Sequence, residues 1–230
     1  MAGRGRPKKV KDTPTLSKKE MYLGNPDLPS VQATFEYTPH MMEEIEKCSE
    51  DMLYFAENYF YIIDPDKGKV QIELYGFQKR ILTEFNSHLK NILVSPRQAS
   101  KTTLMTIAAL HESCFHSYRT TIIVANKEST AIEIFRRVRL AYEELPIWLK
   151  PAVKEYGKTA AEFANGSRIS ISTTTGAAIR GTSLNLLILD ELSHIECVEK
   201  NTIITIRNKK TGEISSMKIG ECLDKLLQND

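Results

Sequence analysis

Lys101, Thr102 and the pair Asp190-Glu191 are the residues whose types and spacing could do chemistry. A lysine and a hydroxyl opening an apolar, helix-compatible run (residues 104–110) suit the phosphates of a nucleotide. Backbone N–H groups and the positive helix end receive the phosphates, the ammonium reaches the β- and γ-phosphates, and the Thr102 hydroxyl holds Mg²⁺. Ser95, Pro96, Arg97, Gln98, Ala99 and Ser100 precede them and, with Lys101, Thr102 and Thr103, make up the expected nucleotide-binding loop. Ile92, Leu93 and Val94 read as the buried strand that feeds it. Ser95 and Ser100 stand where such loops carry glycine, and the bare stretch also reads as an ordinary helix N-cap. Asp190 and Glu191 end a second apolar run, Leu186, Leu187, Ile188 and Leu189. A metal-organising Asp beside a Glu that activates water is the other half of ATP hydrolysis. The plainer alternative is a buried strand capped by two acids for solubility.

The elements that must position these groups follow from periodicity. Met41, Met42, Ile45, Cys48, Met52, Phe55, Ala56 and Tyr59 recur at steps of three and four, predicting a core-packed helix over residues 40–61. Asp64-Pro65-Asp66-Lys67-Gly68 is a turn, and Gln78 opens another helical run through Ile81, Leu82 and Phe85. Residues 121–125 are the next buried strand, and residues 128–145 a helix ended by Pro146 and Pro151. Arg136, Arg137 and Arg139 on that helix are read as a solvated face. Asn165-Gly166 is the strongest hairpin signal in the chain, with residues 168–172 as the returning strand. Residues 173–178 make a polar loop before Arg180-Gly181, suited to sensing phosphate or DNA, or to plain connection. Strand, helix, strand, helix, hairpin, strand predicts an α/β sheet with parallel core strands and the site at their carboxyl ends.

These motifs in this order resemble the N-terminal ATPase part of the large terminase of tailed phages, the motor that packages DNA into the procapsid. The residues that carry the resemblance are Tyr75-Gly76-Phe77-Gln78, the loop from Pro96 to Thr103, the segment from Ala125 to Ala131, Asn165-Gly166-Ser167, Arg180-Gly181 and Leu189-Asp190-Glu191, spanning roughly residues 35–196. The resemblance implies a P-loop NTPase of the ASCE, helicase-like kind with a mainly parallel sheet, and ATP and Mg²⁺ as cofactors. It implies Arg97 and Lys101 on phosphates, Thr102 and Asp190 on the metal, Glu191 on the attacking water, and Gln78 on the adenine edge. Gln78 taken alone is as readily a surface residue at a helix start. Double-stranded DNA, portal, small terminase subunit and procapsid are the implied partners. The place of action would be the cytoplasm of the infected bacterial host, with transient residence on the portal. Ser100 departs from the family's usual glycine.

The pattern stops beside the second motif. From Cys197 a new strand-like run begins, with Asn201-Thr202, a hairpin at residues 209–213, and Lys218-Ile219-Gly220-Glu221. This resembles the start of an intein, and Cys197 would then be the splicing nucleophile; a lone Cys in a hairpin of the ATPase is the alternative. The expected layout is a basic tail and linker over residues 1–34, an ATPase fragment over 35–196, and an intein N-terminal fragment over 197–230. A complementary chain would bring the intein C-terminal fragment and the remaining motor, nuclease included. Rival readings are a helicase-like DNA-dependent ATPase, and a DNA-binding adaptor with an inactive nucleotide site.

Composition bounds all of this. A hydrophobic content of 41% and a charged content of 26% describe an ordinary folded protein, and the four cysteines (Cys48, Cys114, Cys197, Cys222) show no metal-ligand spacing. No apolar run approaches the roughly 18 residues of a membrane span. Arg4, Arg6, Lys8, Lys9 and Lys11 form an unbalanced positive tail. It reads first as a solvated segment gripping phosphates; the alternative is an AT-hook placing Arg4 and Arg6 in a minor groove.

Overall fold

Leu16, the first of the described residues, has a buried side chain. The structure is a computed structural model that describes residues 16–64, 66–88, 90–94, 99–173 and 183–190, together with 201, 203–207, 212, 214–218 and 221. Two units, Met1–Leu192 and Ser193–Asp230, are each internally packed.

In the first unit, β1 (Met21–Tyr22) and β2 (Asn25–Pro29) form a small antiparallel hairpin. Leu28 of β2 is buried in the main core, and Ser30 bridges to Val153. The expectation of an irregular linker over residues 12–34 is therefore corrected over the hairpin, Met21 to Pro29. The prolines do not prevent a two-residue strand pairing, and Leu16 and Leu28 supply the apolar anchor.

The single helix expected over residues 40–61 is two, α1 (Pro39–Glu50) and α2 (Met52–Tyr59). Asp51 adopts extended backbone between them, and its Oδ1 accepts from the N–H groups of Leu53 (2.8 Å) and Tyr54 (3.1 Å). An aspartate capping the first turn is worth about 1 kcal/mol, enough to favour a break where apolar spacing alone is silent. Buried Glu44 ties the pair together, accepting from the hydroxyls of Tyr54 (2.9 Å) and Tyr59 (2.5 Å). The turn at Asp64 joins β3 (Tyr61–Asp64) to β4 (Gly68–Gln71), and α3 (Gly76–Glu84) follows.

α4 (Lys101–Phe115) is the centre of the unit. Leu104, Ile107, Ala108, Ala109, Leu110 and His111 are all buried, so the helix is covered on nearly every side, and α1, α2, α3, the next helix in the chain and three strands of the sheet pack on it. β5 (Thr120–Ala125) returns from it, then α5 (Glu128–Glu144), β6 (Val153–Tyr156), β7 (Ala160–Phe163), β8 (Arg168–Thr173) and β9 (Leu186–Leu189). Buried Lys150 ends α5 by donating to the carbonyls of Tyr142 (3.1 Å) and Glu143 (2.8 Å).

The sheet order is β6-β7-β8-β5-β9. β8, β5 and β9 run parallel; β7 and β6 extend the sheet by antiparallel pairing. This is a mixed α/β sheet with a parallel centre. The hairpin read at Asn165-Gly166 joins β7 to β8, with Gly166 at φ +79°. One expected strand is missing. Ile92, Leu93 and Val94 form no strand, and Ile92 and Val94 are 87% and 90% exposed. Among the described residues no strand pairs with them, and an apolar run becomes a buried strand only when a neighbour takes its backbone groups.

In the second unit, β10 (Ile203–Arg207) pairs antiparallel with β11 (Ile214–Lys218), in register from Ile203 opposite Lys218 to Arg207 opposite Ile214. Gly212 carries the positive φ (+75°) in the connection, where the hairpin was expected. No described helix of either unit is long and apolar enough to cross a membrane.

Candidate functional site

The two ends of α4 set the site. At its C-terminal end, Nδ2 of Asn165 donates to the carbonyls of Ser113 (2.9 Å) and His116 (3.3 Å), and the Ser167 hydroxyl donates to His116 (2.6 Å). Carbonyls at a helix end have no partner within the helix, and the β7–β8 turn supplies one. That end is thereby held at the amino ends of β5 and β8. At about 1.5 Å per residue a helix of this length spans roughly the rise of six strand residues at about 3.3 Å each. Lys101 therefore returns to the level of the strands' carboxyl ends, where Asp190 follows β9. The backbone N–H of Asp190 donates to Val124 of β5 at 2.9 Å, and its residue is 7% exposed. α4 packs on both β5 and β9. Asn185 fixes where β9 starts, its Oδ1 accepting from the N–H of Thr120 at 2.9 Å.

Ser100, the residue before Lys101, sits at φ +55°, ψ +32°, in the left-handed region. This is the conformation for which glycine is the usual choice, adopted here by a residue with a Cβ at a cost of about 1–2 kcal/mol. Its hydroxyl makes no capping bond to the first turn; its carbonyl accepts from the N–H groups of Thr103 (3.1 Å) and Leu104 (3.3 Å). The backbone thus turns sharply into α4 without a capping bond from the Ser100 side chain. Such a mouth attracts anions.

Gln78 is 3% exposed, which the reading as a surface residue did not anticipate. Its Oε1 accepts from the N–H of Tyr75 at 2.9 Å, and its Nε2 donates to the carbonyl of Ala99 at 3.5 Å. Gln78 therefore fastens α3 to the loop that precedes Lys101. Tyr75 and Phe77 lie beside it, exposed, with rings nearly parallel at 6.1 Å.

On the α5 flank of the same helix mouth is a cavity of 680 Å³ lined by Ser100, Thr103, Tyr61, Arg136, Arg137 and Leu140, among others. Arg136 pairs with Glu133 at 3.2 Å, and the Arg139 guanidinium lies 4.6 Å from the centre of the Tyr156 ring. The arginines read as a solvated face are thus partly engaged, and all three line this cavity.

The structure brings Gln78, Ala99, Ser100, Lys101, Thr102 and Thr103 into one corner and sets Asp190 at the carboxyl end of the adjoining strand. Ser95, Pro96, Arg97, Gln98, Arg180, Glu191 and Cys197, and Arg4 and Arg6 of the basic tail, lie outside the described residues. Sequence reasoning did not assign Asn165 and Ser167 their anchoring of α4. Asn165-Gly166 signalled the turn, and nothing in the sequence gave its distant partners. Among the described residues no cluster of His, Cys, Asp or Glu has the makings of a metal site on its own. An ion at Thr102 and Asp190 would take its other ligands from phosphate or water. Hydroxyl and carboxylate oxygens are the donors a small hard cation such as Mg²⁺ prefers.

No family model matches the sequence. Among solved structures, the chain is similar to the bacteriophage HK97 large terminase, with a TM-score of 0.50 and 19% identity over 61% of this chain. The match spans 30% of that protein, so the chain covers about a third of its length. What the two share is the fold: a helix-packed α/β sheet of the kind found in a phage large terminase.

Proposed function

We propose that this chain is the N-terminal ATPase part of a viral DNA-packaging motor, and that Cys197 opens a split-intein segment joining it to the rest. The observation that carries the ATPase reading is the αL turn at Ser100 leading into Lys101 and Thr102, at the level of Asp190, within a terminase-like fold. Lys101, Arg97 and the N–H groups of the first turn hold phosphates; Thr102 and Asp190 hold the metal; Glu191 orients the attacking water. Bound Mg²⁺ supplies charge neutralisation on the phosphate oxygens, and the side chains supply positioning. Gln78 holds the loop against α3. Lys101→Ala removes ATP turnover by the joined protein while leaving its thermal midpoint unchanged. Undiminished phosphate release by that variant overturns the site.

The splicing reading rests on the sequence from Cys197 onward, and a β-hairpin directly after it suits that reading. The Cys197 thiolate attacks the Glu196 carbonyl, a C–S bond replaces the C–N bond, and the freed amino group of Cys197 takes up a proton. Two other thiols are poor competitors, since burial pushes both Cys48 and Cys114 up to about 12. Mixing the chain with its companion under reducing conditions yields a joined product lacking residues 197 onward, seen by mass spectrometry. A joined product from the Cys197→Ala chain removes the splicing claim.

A further inference from the structure

The two outer strands of the sheet are built differently. β6 reads Val-Lys-Glu-Tyr, with Lys154 and Glu155 exposed, Lys154 paired with Glu162 at 3.0 Å, and Val153 already bridged by Ser30. Charges and a covering segment are how proteins keep an edge an edge. β9 reads Leu-Leu-Ile-Leu, without a charge. An unbroken apolar strand among parallel neighbours has the composition of a sheet interior, covered on both sides. Yet among the described residues β9 pairs with β5 and with no other strand. Its Leu186 and Ile188 join the core, while Leu187 and Leu189 on the opposite face are 41% and 37% exposed. α4 and α5 both pack on the core face.

We infer that the free edge of β9 is a docking surface for a parallel, apolar β-strand of the companion polypeptide that carries the remainder of this ATPase fold. The two halves then recognise each other through the sheet before any bond joins them. The inference rests on the function proposed above. Among the described residues no strand takes the outer backbone N–H and C=O groups of β9, and such groups call for a strand, because a helix has none to offer. The strand is parallel because β8, β5 and β9 all are, and a crossover-connected strand of the same sheet takes that direction. It is apolar because it must cover Leu187 and Leu189. The solved protein of this fold has more than three times the length that this chain matches, so further chain accompanies the fold there. A second copy related by a two-fold axis would meet β9 antiparallel, against the direction of the sheet.

The test uses the whole chain carrying Cys197→Ala, which cannot be ligated. The probe is the companion chain that encodes the rest of the terminase, made without its intein-like leader. Hydrogen exchange of the amides at residues 186–189 is read in the free chain and with the probe. They exchange faster than those of residues 120–125 when free and slow at least tenfold when the probe is added. Leu187→Lys with Leu189→Lys weakens probe binding at least fiftyfold, and Lys154→Leu on the opposite edge leaves it unchanged. The exchange measurement needs no variant, so a misfolded double mutant does not rescue the idea. If the leaderless probe gives no protection while the intact companion still yields joined product, the docking surface is refuted and the proposed function stands. If neither binding nor joining occurs, both fall. Protection that appears on concentrating the chain alone, with a dimer in sedimentation, assigns the edge to a second copy and overturns the inference.

Discussion

The two ends of α4 are held in opposite ways. The C-terminal end is pinned by Asn165 and Ser167, and one turn earlier the buried His111 ring bonds through Nε2 to the carbonyl of Cys48 at 2.8 Å. The N-terminal end is entered through a strained serine and steadied from α3 by a bond at the long limit, 3.5 Å from Gln78 to Ala99. In the function proposed above, one end of a single helix takes the stability and the other the chemistry. A site proposed to receive and release a nucleotide can be compliant only if what lies behind it is not.

The largest effect expected is on the pinned end and depends on pH. Burial pushes His111 down to about 4, and its Nδ1 is buried without a hydrogen-bond partner among the described residues. The folded state therefore holds the neutral ring, while the unfolded chain takes up a proton near the ordinary value of about 6.5. Stability present above about pH 6.5 is lost as pH falls toward about 4 and changes no further below it. The loss from this residue is about 3 kcal/mol. Denaturant titrations of His111→Phe should show that acid slope flattened; an unchanged slope would break the assignment of a neutral core histidine. Next is Asn165→Ala, which removes the Asn165 bonds from the C-terminal end of α4 and should cost about 2–3 kcal/mol while leaving nucleotide affinity alone. An affinity change larger than the stability change would mean that the two ends are not independent.

At the compliant end the effects are smaller. Gln78→Ala should cost about 1 kcal/mol of stability and raise the KM for ATP several-fold, since it frees the loop from α3. An unaltered KM would leave Gln78 a plain helix cap. Ser100→Gly should stabilise by about 0.5–1 kcal/mol, relief of the αL strain being partly offset by a freer unfolded chain. A destabilised Ser100→Gly, measured by its thermal midpoint, would show that the Ser100 side chain makes a contact worth more than its strain.

Much of the fold was legible in advance because it follows from local pattern. Residues 121–125 read as a strand from their apolar run and residues 168–172 from their apolar–polar alternation after the turn, Asn165-Gly166 as a turn from its need for positive φ, and residues 128–145 as a helix from a period of three to four. The break at Asp51 was not legible, because a helix-compatible period runs straight through it and a cap outweighs that period by only about 1 kcal/mol. The hairpin from Met21 to Pro29 was hidden by its prolines. Ile92, Leu93 and Val94 failed as a strand because apolarity specifies burial but cannot supply the neighbour.

The sequence alone determined where ammonium, hydroxyl and carboxylate groups of the proposed site stand along the chain, and such groups carry their chemistry wherever they sit. Their relation to one another was the work of tertiary structure. The sheet register set Asp190 beside Val124, the β7–β8 turn fixed the far end of α4, and Gln78 took the loop rather than solvent. The reason is that these are contacts between segments tens of residues apart, and a periodicity read along the chain reports only on neighbours three or four positions away.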